Sequence, residues 1–143
     1  MNTLSRLAAI ALLAASPAFA QVSALDDSTF QGLGGKSGIK NIVATFVPMI
    51  LADPRIKESF KDSDIKNLTM RLEEQFCELS GGPCKYQGKD MVDIHDGLNI
   101  TNAQFNALAE DLQLAMEKVG VPSRVQNKLV AKLAPMQRGI VTK

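Results

Sequence analysis

Four stretches of this chain carry apolar residues at the three-and-four spacing of an α-helix, and none alternates at the period of a half-buried strand. The first stripe is Ile39, Ile42, Val43, Phe46, Val47 and Ile50. The second is Ile65, Leu68, Leu72, Phe76 and Leu79. The third is Phe105, Leu108, Leu112, Ala115, Met116 and Val119, and the fourth is Val125, Leu129, Leu133, Met136 and Ile140. Breakers separate them. Leu33-Gly34-Gly35 precedes the first, and Asp53-Pro54 ends it because a residue before proline is pushed out of the helical region. Ser80-Gly81-Gly82-Pro83 stops the second, and Gly120 and Pro122 divide the third from the fourth. Thr101 and Gln104 have capping-box spacing at the start of the third. Pro48 and Pro135 lie inside stripes, where a missing backbone donor is expected to bend the helix. The pattern predicts a single all-α domain of four long helices with short connections and no internal repeat.

The opening residues are read differently. Arg6, an apolar run from Leu7 to Ala15 and the Ala18-Phe19-Ala20 pattern form a secretory signal peptide, residues 1–20, cut before Gln21. The run is too short to span a bilayer as a mature helix. Residues 21–29 are a polar leader without periodicity, and the domain occupies residues 30–143. Cleavage removes one basic residue and no acidic one, which leaves 15 of each sign. That balance argues against a nucleic-acid partner or an anionic membrane surface. Absence of Trp and a single Tyr argue against a base-stacking surface. A hydrophobic content of 45% is that of a folded chain. The expectation is an exported, periplasmic protein with no stable membrane insertion after cleavage.

Stripes alone describe packing, so chemistry must come from unusual residues. His95 is the only histidine. Zinc needs about four ligands, which the Cys and His supply does not provide. Heme needs one axial protein ligand beside an apolar slot, and a lone His among apolar stripes suits it better. Cys77 and Cys84 would pair in an oxidising compartment, stapling the end of the second helix to the next loop. Two free thiols or a redox-active pair are the rival readings. A short loop of this kind stabilises by roughly 2–3 kcal/mol. No Cys-x-x-Cys-His occurs, so covalent c-type attachment has no motif.

Gly81-Gly82-Pro83, Tyr86-Gln87-Gly88, Met91, His95, Gly97-Leu98 and Ile100-Thr101 resemble the core signature of the group I truncated hemoglobins. Leu33-Gly34-Gly35, Phe46, Leu51-Ala52-Asp53-Pro54, Phe60, Phe105, Gly120-Val121-Pro122 and Ala134-Pro135 stand in register with it, so the resemblance spans about residues 30 to 142. It implies the truncated globin fold, a two-over-two helical sandwich, with non-covalent heme b. His95 would be the proximal iron ligand on a short helix of its own. Phe46, Phe60, Leu68, Leu72, Met91, Ile94, Leu98, Ile100, Phe105 and Leu108 would wall the heme pocket. Arg71 and Tyr86 would lie near the propionates, and Phe76 would line a ligand path.

The departures are on the ligand side. The family usually has a Tyr after the first-helix Phe, where this chain has Val47, and often a Gln where it has Leu72. The distal pocket implied is Phe46, Val47, Leu68, Leu72 and Phe76, with no hydrogen-bond donor. A missing hydrogen bond to bound oxygen costs on the order of 1–3 kcal/mol. The leading expectation is a heme protein that reversibly binds oxygen, NO and CO. The alternatives are a heme oxidoreductase for NO or peroxide, or a heme- or electron-transfer module, with Met49 or Met70 as a sixth iron ligand. No reductase is fused within the chain, so turnover would need a separate electron donor.

Overall fold

The structure, a computed structural model, describes residues 26–143. The expected signal peptide and residues 21–25 of the leader lie outside the described residues. Within the described residues seven α-helices run in order: α1 (Ser28–Gly32), α2 (Gly35–Ala52), α3 (Ile65–Leu79), α4 (Met91–His95), α5 (Asn102–Lys118), α6 (Ser123–Leu133) and α7 (Gln137–Ile140). A 3-10 turn, Lys57–Phe60, lies between α2 and α3, and another, Ala134–Met136, joins α6 to α7. Among the described residues the only β-pairing is an isolated parallel bridge between Ile100 and Val141.

The core forms on α2. All six residues of its stripe are buried, from Ile39 to Ile50, and α2 packs on α3 on one side and on α5 on the other. Contacts of α6 with α5 and with α3 complete two helix pairs laid against each other. Leu112, Ala115 and Met116 of α5 and Leu129 of α6 close the interior. Asp64 caps α3 by accepting from Asn67 N at 3.1 Å. Thr101 and Gln104 form the capping box their spacing predicts.

Three expectations need correction. The leader ends two residues early, because Ser28 and Thr29 already belong to α1, which seats Phe30 in the core. Phe30 N donates to Ser80 O at 3.0 Å, tying α1 to the end of α3. The fourth stripe is not one helix. Pro135 brings no backbone donor, so the chain tightens to a 3-10 turn and restarts as α7. Val119 caps the end of α5 and is exposed rather than part of its buried stripe. Pro48, by contrast, does not end α2. It sits on the exposed side, where water can satisfy the Ala44 carbonyl it leaves without a partner.

Candidate functional site

His95 is the last residue of α4, a helix of five residues capped by Asp90, whose carboxylate accepts from Val92 N at 2.8 Å. The ring is half-buried, and its Nδ1 lies 2.7 Å from Met91 O. A carbonyl only accepts, so Nδ1 must carry the proton. In the neutral ring that leaves the lone pair on Nε2, the arrangement by which a backbone carbonyl orients an imidazole for a metal. Among the described residues no three His, Cys, Asp or Glu side chains converge as a metal-binding group. An iron held by a macrocycle suits this donor set, since it asks the protein for one nitrogen.

The other expected site residues fall into three settings. Phe46, Val47 and Phe76 are buried, with the Phe46 and Phe76 ring centroids 6.2 Å apart. Phe60, Leu68, Leu72 and Leu108 are half-buried against this core, and Phe105 is half-buried on the first turns of α5. Ile94 and Leu98, flanking His95, are exposed, as is Met70 on α3, whereas Ile100 is buried at the bridge to Val141. Exposed apolar side chains just before and after a histidine with a free Nε2 fit a flat apolar cofactor. Tyr86 and Met91 meet instead at a cavity of about 200 Å³ with Gln75, Glu78, Asp90 and Met136.

The loop carrying Tyr86 is anchored to α3 by a cross-link, two backbone-to-carboxylate bonds and an exposed Lys85–Glu78 ion pair at 3.4 Å. Cys77 and Cys84 form the disulfide. Glu78 accepts from Tyr86 N at 3.1 Å, and Glu74 accepts from Gln87 N at 3.0 Å. Arg71 places its guanidinium 2.7 Å from the same Glu74 oxygen. The Gln87 amide, helped by Arg71, holds the Glu74 carboxyl below the usual range, and desolvation pushes the Tyr86 phenol up. Arg71, Glu74, Glu78 and the Tyr86 loop therefore form one polar cluster on α3.

Two buried polar residues are not apparent from the sequence pattern. Gln75 rests its amide nitrogen 3.2 Å from the Met91 sulfur and 3.9 Å from that of Met136. Asp111 on α5 is buried and one of its oxygens has no partner. Its other oxygen lies 3.9 Å from Arg55, which also pairs with Asp53 and Glu110 at 2.7 Å each. Both residues sit at helical spacing within apolar stripes, Gln75 three beyond Leu72 and Asp111 three beyond Leu108. A polar residue on a buried face was the available signal.

The model of the bacterial-like globin family matches residues 28–142. The group 1 truncated hemoglobin of Tetrahymena pyriformis is 35% identical over 99 residues, covering 69% of this chain and 82% of that protein. The group 1 truncated hemoglobin of Mycolicibacterium paratuberculosis is 30% identical over 115 residues, covering 80% and 85%. The crystal structure of the Tetrahymena pyriformis protein in its Fe(III) form superposes with a TM-score of 0.77 at 31% identity, covering 80% of this chain and 98% of that one.

Proposed function

The chain belongs to the bacterial-like globins, among the group 1 truncated hemoglobins, and on that premise we propose that it binds heme b non-covalently through His95 and reversibly takes up oxygen, NO and CO. The observation that carries this is the Nδ1 contact of His95 with Met91 O, which turns the Nε2 lone pair outward from α4. Heme, when bound, supplies an iron with a free position for a small gas. The rest of the work is done by side chains. His95 holds the metal and Ile94 and Leu98 cover apolar surface. Arg71 offers a cation to the carboxylates at the cofactor edge, while the Tyr86 hydroxyl donates to Lys89 O at 2.9 Å and shapes the loop beside it.

Phe46, Val47, Leu68, Leu72 and Phe76 give the gas an apolar setting without a hydrogen-bond donor. Losing such a bond speeds oxygen release by about tenfold for each 1.4 kcal/mol, and a buried polar atom left without its partner costs about 1–3 kcal/mol. NO and CO depend less on it. This favours gas binding over chemistry on a long-lived oxygen complex, and steady-state turnover of NO and peroxide no better than free hemin is expected. Export to the periplasm by the 1–20 segment is part of the same proposal, with a separate electron donor to keep the iron reduced. Fractionation of expressing cells checks the location.

The experiment is an absorption titration of the purified protein with hemin, before and after dithionite, beside His95→Ala. A Soret band that forms one-to-one and is lost in the variant supports the proposal. Equal spectra for the two proteins, with helicity intact by circular dichroism, would end it.

A further inference from the structure

We infer that α7 and residues 141–143 are a positioning device for His95, setting where its Nε2 points; what this does to a cofactor rests on the heme reading above. Five residues are too few for a helix to hold itself, so the direction of α4 is decided by what it packs on. Its helix partner is α7. The approach is close because residue 139 is glycine. A Cβ there would lie 2.8 Å from Val92 Cγ2, nearer than side-chain atoms come.

The chain leaving His95 is then caught by the same segment. It turns through Gly97 at φ 75° and Asn99 at φ 53°, the latter a left-handed conformation that a non-glycine residue seldom adopts. Asn99 Nδ2 supports the turn by donating to Gly97 O at 3.2 Å. At Ile100 the backbone pairs with Val141, and Ile100 O accepts from Thr142 N at 3.0 Å and Lys143 N at 3.3 Å. Gln137 Nε2 donates to Asn102 Oδ1 at 2.7 Å. Residues 137–143 thus hold the body of α4 through Val92 and its exit through Ile100 and Asn102. The entry to α4 is held separately, by the anchored loop on α3. A histidine gripped at both ends of its helix cannot swing without breaking one grip.

The test is Gly139→Ala, alone and with Val92→Ala, in the full chain. The added methyl must displace Val92, whose β-branched side chain has few rotamers on a helix, and so strain the seat of α4 on α7, while Val92→Ala removes the atom it meets. In the heme-free protein, nitrogen NMR of His95 should show a shifted Nδ1 signal, and its Nδ1 proton should exchange about tenfold faster, the size of an overpacked contact. In the heme-loaded protein, transfer of hemin to apomyoglobin should quicken by a similar factor. The double variant should restore both. Unchanged His95 signals in Gly139→Ala, or changes that Val92→Ala does not rescue, would overturn the inference. If the wild-type protein takes no heme but the His95 signals move and are rescued, the positioning stands and the heme reading falls.

Discussion

Breaking the Cys77–Cys84 cross-link should cost stability that can be computed from chain length. The two residues are seven apart in sequence. Closing a loop of about eight residues removes about 8 cal/mol/K from the unfolded chain, or about 2.5 kcal/mol at 25 °C. Cys84→Ser is the right perturbation, because Cys77 is the buried partner and its sulfur stays in place, so packing changes little. For a domain of this size the loss corresponds to a fall of about 10 °C in Tm. Urea unfolding followed by circular dichroism reads both quantities, with the m value checking that the unfolded chain has expanded. The effect should also be local. The loop would keep its carboxylate contacts, Glu74 with Gln87 and Glu78 with Tyr86 and the exposed Lys85, so amide exchange should quicken between residues 83 and 90 before it does in α2. An unchanged Tm with an unchanged m value would refute the loop-closure reasoning, as would exchange that quickens uniformly.

Two further changes test the distal face and the buried acid. Leu72→Gln puts a donor where the pocket has none, and oxygen release measured by stopped flow should slow about tenfold while CO release changes little; equal effects on the two gases would argue against an apolar distal face. Asp111→Asn should stabilise the fold by about 1 kcal/mol at pH 7, the lower end of the cost of an unsatisfied buried group because Arg55 is near. Desolvation, then the Asp53 charge, raise the Asp111 carboxyl, so its stabilising contribution is complete below about pH 4, its unfolded value, and is lost as pH rises through its folded value. Asp53, held down to about 2 chiefly by Arg55, behaves oppositely and keeps its contribution until pH falls below about 4. The advantage of Asp111→Asn, followed by urea unfolding from pH 4 to 7, should therefore grow with pH; a constant difference would contradict the assignment.

How far the chain could be read depended on how local each feature is. The stripe from Ile39 to Ile50 was complete because one helix face repeats often enough to rise above composition, and all six residues are buried. Thr101 and Gln104 were legible because a capping box spans only four residues. The break at Pro135 was placed correctly but its outcome was not, since a proline bends or ends a helix according to the packing of the residues beyond it. Helix α1 was missed because five residues give no periodicity, and α4 was reached only through the resemblance around His95. The placement of His95 on a short helix followed from that resemblance, whereas its Met91 contact and its grip by residues 137–143 did not. Pairing of Ile100 with Val141 joins positions 41 apart, and nothing in the local chemistry of either announces the other. Gln75 and Asp111 were hidden by the assumption that a stripe is made of apolar residues.

The surroundings of the cross-link also decide how it meets other thiols. Cys77 is 1% exposed, whereas Cys84 is only partly covered. Any atom added at Gly82 would lie 2.7 Å from the Cys77 sulfur and 2.5 Å from the ring of Phe30, so the approach to Cys77 is closed by backbone and by α1. An attacking thiolate can reach only Cys84, and must then expel Cys77 as an anion into apolar surroundings. Apolar surroundings of that kind disfavour the anion, which makes Cys77 a poor leaving group. Exchange with small thiols should be slow for as long as Phe30 stays seated, and the rate at which this bond opens becomes a measure of how often α1 lifts from the end of α3.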